Sequence, residues 1–186
     1  MATPIYPLVT VDDLQAMPDD GNRYEVIGGE ILMSRAPGLT HQRISGKLYR
    51  LLGNYLDTNP IGEVLATPGI VFSEIDGVIP DIVFFTHDRA KLILSAERII
   101  AAPDLIVEIV SPGSDNQRRD RVVKKQLYAK FGVREYWVAD PESMTIEIIT
   151  CNADVQPQSA VFQADDEIES TVLPGFSFKV SSIFPS

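Results

Sequence analysis

The sequence predicts an α/β fold, in which β-strands alternate with α-helices along the chain. Residues 105–110 are apolar except for Glu108 and are bounded by prolines, as expected for a strand that is buried on both faces. Residues 41–57 and 115–131 have apolar side chains at the three- and four-residue spacing of amphipathic helices. Strand and helix patterns therefore alternate within one chain.

The N-terminal half contributes a hairpin, the first helix and a strand. Residues 23–33 predict a β-hairpin because two adjacent glycines, Gly28 and Gly29, separate two apolar runs. Thr40 precedes the first helix and is a plausible N-cap. Residues 62–73 predict a strand that is interrupted by a Pro-Gly pair.

The C-terminal half continues the alternation. Asp81 opens a short apolar strand, and residues 87–100 are ambiguous, with a short helix as the preferred interpretation. The second helix should end at Gly132, the usual terminating residue. Residues 135–140 and 145–150 then predict two strands, and the remaining apolar residues indicate an antiparallel C-terminal extension.

Composition is that of an ordinary globular protein. The 186 residues, of which 45% are hydrophobic and 23% charged, fit a single domain covering residues 1–186. The single cysteine, Cys151, excludes an internal disulfide and suits a reducing compartment. Neither a secretory signal nor an apolar run long enough to span a bilayer is found, so we expect a cytoplasmic protein without a membrane partner.

The charges are distributed unevenly. The net charge of −10 argues against nucleic acid as a partner, and residues 140–170 carry eight acids with no lysine or arginine. Residues 115–135, however, carry seven bases against three acids, a local charge of +4. This segment is either a solvated amphipathic helix or a surface for nucleic acid. The candidate nucleic-acid-binding residues are Arg118, Arg119, Arg121 and Lys125.

Two acids on buried strands predict a metal site. An ionised carboxylate buried without a partner costs several kcal/mol, so Asp81 and Glu108 are expected to bind a cation, to pair or to take up a proton. With the backbone carbonyl of Ile109 they form an oxygen-only ligand set, which favours Mg²⁺ and accepts Mn²⁺ as a substitute.

Lys124 is the candidate group that orients the attacking water or stabilises the phosphate during attack. Asp120, Lys124 and Tyr128 lie one turn apart on one stripe of the second helix. If that helix packs beside the Glu108 strand, Lys124 reaches the carboxylates. Tyr128 and Trp137 are assigned to the core.

These residues resemble a known group. Pro80-Asp81 followed by Glu108 resembles the Pro-Asp…(Asp/Glu)-x-Lys signature of the restriction-endonuclease-like nuclease superfamily. More closely, the chain resembles a bacterial family of restriction-endonuclease-like nucleases that was formerly a domain of unknown function. The stretches that carry this resemblance span roughly residues 20–142 and include Tyr24-Glu-Val-Ile-Gly-Gly-Glu, Ile79-Pro-Asp, Ala102-Pro-Asp-Leu-Ile-Val-Glu-Ile-Val-Ser-Pro, Asp120-x-x-x-Lys-x-x-x-Tyr and Gly132-Val-x-Glu-Tyr-Trp-Val-x-Asp-Pro.

The resemblance implies a restriction-endonuclease-like mixed β-sheet core that is flanked by helices, with an N-terminal hairpin and an antiparallel C-terminal extension. It also implies a Mg²⁺-dependent endonuclease acting on DNA, and a homodimer. Val110 occupies the position of the signature lysine, and the resemblance places that lysine at Lys124 on the next helix. A fold that keeps the acids without catalysis would instead be a nucleic-acid-binding or interaction module. A hydrolase of small phosphoesters is a less favoured third possibility.

Two further residues complete the candidate catalytic set of Asp81, Glu108 and Lys124. Glu25 precedes an apolar run and is a candidate third metal ligand or a neighbour of the ligands. His41 opens the first helix and could bind phosphate or water. Each also has a purely structural alternative.

Overall fold

The computed structural model describes residues 7–96, 98–111, 113, 119–151 and 157–185. The strands among these residues are β1 (Arg23–Ile27), β2 (Glu30–Ser34), β3 (Gly62–Ala66), β4 (Ile70–Ser73), β5 (Asp76–Val78), β6 (Ile82–Thr86), β7 (Leu105–Ile109), β8 (Glu135–Asp140), β9 (Thr145–Thr150), β10 (Gln158–Gln163), β11 (Glu167–Glu169) and β12 (Ser177–Lys179). The helices are α1 (Leu39–Thr58), α2 (His87–Ile93) and α3 (Lys124–Phe131), which is preceded by a π-helical turn (Arg119–Val123).

A six-stranded mixed sheet forms the centre of the fold. Its strand order is β10-β9-β8-β7-β6-β3, with β7 and β8 parallel and the other neighbours antiparallel. Apolar residues of α1, such as Leu48, pack on one face with Val107 and Ile109. Apolar residues of α3, such as Leu127, pack on the other face with Ile106. The predicted α/β fold with a mixed sheet flanked by helices is confirmed.

A second, four-stranded sheet has the order β2-β1-β5-β4. The predicted hairpin is confirmed as β1 and β2, and Gly28 and Gly29 form its turn with φ angles of +60° and +78°, which glycine adopts readily. The carboxylate of Asp76 accepts hydrogen bonds from the Gly28 N–H and the Lys130 ammonium, so it joins this sheet to α3.

Two details of the N-terminal half were predicted wrongly. Residues 62–73 are not one interrupted strand, because β3 is an edge of the six-stranded sheet while β4 is an edge of the four-stranded sheet. Thr40 is not the N-cap of α1, because the helix already begins at Leu39 and the cap residue is Gly38, without a side-chain cap bond.

The remaining described elements agree with the predictions, while residues 115–118 of the second predicted helix lie outside the described residues. The ambiguous segment contains the short helix α2, and α3 ends at Gly132 in the left-handed conformation with φ +83°. The C-terminal extension is antiparallel, since β10 pairs with β9 and β11 pairs with β12. In the described part of the chain, no helix combines the length and the apolar character that crossing a membrane requires.

Candidate active site

Asp81 lies immediately before β6 and is almost fully buried. Its Oδ2 accepts a hydrogen bond of 2.8 Å from the backbone N–H of Ile109, at the end of the neighbouring strand β7. The same oxygen lies 3.0 Å from Nε2 of His41. The antiparallel pairing of β6 with β7 therefore places Asp81 beside the residue that follows Glu108.

The environment of Asp81 favours its ionised form. Burial acts to raise the pKa of this carboxyl group, but the hydrogen bond and charge of His41 lower it. The Ile109 N–H and the charge of Lys124 add to the lowering, so that the pKa lies below its usual value of 3.8. Asp81 is thus a buried anion at neutral pH, as a metal ligand must be.

Glu108 lies on β7 and is held by α3. Its Oε1 accepts hydrogen bonds of 2.8 Å from Lys124 Nζ and of 2.8 Å from the Tyr128 hydroxyl. Burial and the negative charge of Glu108 raise the pKa of Tyr128 well above 10, so its hydroxyl remains a donor. Two members of the helical stripe predicted from the sequence, Lys124 and Tyr128, therefore face the Glu108 strand.

Lys124 also contacts the second sheet. Its Nζ lies 3.0 Å from Oε1 of Glu25 on β1, and this oxygen accepts a further hydrogen bond of 2.7 Å from the Ile79 N–H. Lys124 is only 2% exposed. One buried ammonium group therefore bridges two carboxylates, one from each sheet.

His41 connects α1 to the same site. It lies in the first turn of the helix, and its Nε2 must carry a proton because the Asp81 carboxylate can only accept. Its Nδ1 is buried and has no hydrogen-bond partner in the part of the chain that the structure describes. The structure thus brings together all five residues of the predicted catalytic set around one cleft, whose lining includes Glu25, His41, Asp81, Glu108, Ile109 and Lys124.

The comparison with protein families agrees with this geometry. Residues 11–181 match a family model described as "Uma2: Putative restriction endonuclease". The chain belongs to this family. It also resembles the crystal structure of "a putative nuclease belonging to DUF820 from Anabaena variabilis ATCC 29413", with a TM-score of 0.77, 21% sequence identity and coverage of 95% of this chain and 97% of that chain. That likeness shows a shared fold, and no curated protein matched the chain.

Restriction-endonuclease-like nucleases generally use divalent metal ions, and the Uma2 chain has suitable donors. Asp81, Glu108 and the backbone of Ile109 line one cleft, and Mg²⁺ in proteins often takes only one or two carboxylates and completes its shell with water and phosphate oxygens. Within the described ranges, no group of three or more His, Cys, Asp or Glu side chains is arranged to hold a metal ion. The donor set therefore fits a partly hydrated ion and does not form a complete protein cage.

The predicted nucleic-acid-binding residues that the structure describes have different surroundings. Arg119 lines the cleft. Arg121 forms ion pairs with Asp140 at 2.7 Å and with Glu147 at 3.3 Å, and Lys125 lies 3.1 Å from Glu147. Much of the basic charge of this helix is therefore balanced by the acidic strands β8 and β9. Arg118 lies outside the described residues.

Three residues of the site were missed in the sequence. Arg23 and Arg35 line the cleft, and Arg23 NH1 lies 3.6 Å from Asp81 Oδ1. Arg23 stands two residues before Glu25 on one strand, so alternation would have placed both side chains on one face. Tyr128 was assigned to the core, although its position one turn after Lys124 was a signal that its hydroxyl could reach the same carboxylate.

Proposed function

We propose that this Uma2-family chain is a divalent-metal-dependent endonuclease that hydrolyses phosphodiester bonds of DNA, with Mg²⁺ as the natural ion and Mn²⁺ as a substitute. The observation that carries the proposal is the position of Lys124. Its ammonium group lies 2.8 Å from Glu108, in the cleft that also contains Asp81. Lys124 thus supplies, from the next helix, the positive charge that Val110 does not provide.

Each residue has a defined role in this proposal. The carboxylates of Asp81 and Glu108 and the carbonyl of Ile109 would hold the ion. When bound, the ion lowers the pKa of a water ligand and offsets negative charge on the phosphate. The water oxygen attacks phosphorus and loses a proton to solvent, the P–O bond to the leaving nucleotide breaks, and the leaving oxygen takes up a proton from solvent. The ammonium of Lys124 stabilises the negative charge that grows on the phosphate during this displacement.

Two residues orient this set. The Glu25 carboxylate fixes Lys124 from the side opposite to Glu108, at 3.0 Å. His41 donates to Asp81 and holds its carboxylate toward the cleft. Both residues would affect catalysis through their neighbours.

A second candidate function also has support. Lys124 already neutralises buried carboxylate charge without any metal ion, which suits a nucleic-acid-binding module that has kept the nuclease fold. The two functions differ in their need for a divalent ion. A binding module would retain its affinity for nucleic acid without Mg²⁺ and would cut nothing.

The test is the cleavage of supercoiled plasmid with Mg²⁺ or Mn²⁺ by the wild type, Glu108→Gln and Glu63→Gln. Glu63 is an exposed acid on β3 and serves as a matched control. We expect nicked and linear plasmid with the wild type and Glu63→Gln, and none with Glu108→Gln. Equal nicking by all three proteins would indicate a contaminant and would contradict the proposal. Bound but uncut DNA would favour the binding module. Incubating the same three proteins with RNA under the same conditions tests whether DNA is the preferred substrate.

We also propose that residues 1–186 form one folding unit and that two copies act as a homodimer. Cutting both strands of a duplex in a single encounter is simplest with two active sites, whereas the described residues of one chain form one such cleft. Sedimentation equilibrium should give twice the monomer mass. A monomer that linearises plasmid in a single encounter would contradict the dimer.

A further inference from the structure

The cleft has one wall of which the proposed catalytic roles use only His41. We define the α1 wall as Ser34, Arg35, Pro37 and His41, which all line the cleft. These residues belong to the end of β2, the connecting loop and the first turn of α1. The α1 wall is therefore adjacent to Asp81, which His41 contacts.

Positive charge is concentrated around this wall. Arg35 is exposed and makes no hydrogen bond or ion pair with the described part of the chain. Arg23, with a side chain 28% exposed, lies 3.6 Å from Asp81, which is longer than a hydrogen bond. The whole lining of the cleft includes four cationic side chains, Arg23, Arg35, Arg119 and Lys124, against three acids, Glu25, Asp81 and Glu108, although the whole chain carries a net charge of −10.

The start of α1 adds a second source of positive potential. This helix is 20 residues long, has no side-chain cap and has no acid in its first turn. The first N–H groups of a helix have no acceptor within the helix, and the helix dipole makes this end favourable for anions. His41, in the same turn, is nine-tenths buried, lines the cleft and has an Nδ1 without a hydrogen-bond partner among the described residues.

Two bases on the opposite, α3 side of the site are already paired with acids. Arg121 lies 2.7 Å from Asp140, and Lys125 lies 3.1 Å from Glu147. Arg35 on the α1 wall, in contrast, has no such partner in the described part of the chain and is available to an anion that approaches the catalytic acids.

We propose that the α1 wall binds a backbone phosphate of the nucleic acid next to the phosphate that is cleaved. The Arg35 guanidinium and the first N–H groups of α1 are its ligands, and Arg23 faces the bound strand from β1. This inference rests on the proposed nucleic-acid substrate. The bound nucleic-acid strand would then follow α1 and not the basic residues of α3.

The test measures the binding of a fluorescein-labelled 20-nucleotide strand, single or in a duplex, by anisotropy at several salt concentrations with EDTA present. Thr40, an exposed residue in the first turn of α1, is replaced with Asp or with the neutral isostere Asn. An acid at a helix start favours the helix but repels a phosphate. Thr40→Asp should therefore bind about tenfold more weakly than Thr40→Asn in low salt, with an equal or higher melting temperature.

A second pair of variants tests the guanidinium. Arg35→Ala should reduce the slope of log affinity against log salt by about one, as expected for one lost phosphate contact. Arg50→Ala is the matched control, because Arg50 is also exposed and lies about 16 Å along α1 from its start. It should bind like the wild type.

The outcomes separate this inference from the proposed function. Equal affinity of Thr40→Asp and Thr40→Asn, or equal salt slopes for Arg35→Ala and Arg50→Ala, overturns the phosphate site even if the wild type cuts DNA. A wild type that binds through the α1 wall but cuts nothing with Mg²⁺ or Mn²⁺ contradicts the endonuclease and supports the phosphate site. A wild type that binds no nucleic acid overturns both.

Discussion

Replacing Lys124 with methionine removes the ammonium group between two buried carboxylates, and we expect a large loss of stability. Nζ lies 2.8 Å from Glu108 and 3.0 Å from Glu25. At an effective dielectric constant of about 20, each contact is worth roughly 5 to 6 kcal/mol of Coulomb attraction before desolvation is subtracted. Breaking a buried ion pair by removing one partner costs about 3–5 kcal/mol net. We expect Lys124→Met to lower the free energy of unfolding by about 4 kcal/mol.

The neighbouring lysine provides the control for this prediction. Lys125 has a side chain 31% exposed and pairs with Glu147 at 3.1 Å. Lys125→Met should therefore cost about 0–1 kcal/mol. Both variants are measured by urea unfolding, which the fluorescence of the single tryptophan, Trp137, reports from the core. If Lys124→Met is no more destabilising than Lys125→Met, the ammonium group does not compensate buried charge and the reasoning is wrong.

Two further predictions concern single hydrogen-bonding groups. Tyr128→Phe removes the hydroxyl that donates to Glu108, and we expect a loss of about 1.5–3 kcal/mol in the same urea titration, the usual value for a bond to a charged group. For Asp140, burial acts to raise the pKa, but hydrogen bonds from the Glu142 N–H and from Arg121 contribute to holding it below its usual value of 3.8. A depressed pKa stabilises the fold above the unfolded value of about 3.9, and this stability is lost as the pH falls through the folded value. Asp140→Asn should therefore flatten the pH dependence of unfolding below about pH 4, and an unchanged slope in acid titrations would count against this explanation.

The local patterns were sufficient for most of the fold. The Gly28-Gly29 pair located the first hairpin, and the apolar spacing of residues 41–57 located α1 to within two residues. The same patterns failed over residues 62–73, because hydrophobic alternation reports that a segment is extended but not which sheet it joins. The assignment of β3 and β4 to different sheets depends on pairings with β6 and β5, which are tertiary.

The acidic part of the site was predictable because burying a carboxylate without a partner costs free energy. A carboxylate such as Glu108 in an apolar strand needs a partner, and the stripe of α3 contained one in Lys124. The sequence did not reveal Glu25 as the second partner of Lys124, because the two residues are 99 positions apart in the chain. Tyr128 was predicted to be buried, which is correct, but burial alone does not indicate where a hydroxyl donates.

Charge counts along the chain were least informative. They suggested that the basic segment around α3 faces nucleic acid and that the acidic strands repel it. In the structure these two segments neutralise each other in part, through Arg121, Lys125 and the acids of β8 and β9. An excess of charge in a segment becomes a binding surface only if no segment of opposite charge packs against it.

Calorimetric titration of Mn²⁺ is the most direct test of the claim that Asp81, Glu108 and Lys124 form one metal-dependent centre. We predict a single binding event in the wild type and in Glu63→Gln, with no measurable heat in Asp81→Asn or Glu108→Gln. Folding of the two site variants is checked by circular dichroism. Undiminished Mn²⁺ binding in both folded site variants would contradict the account.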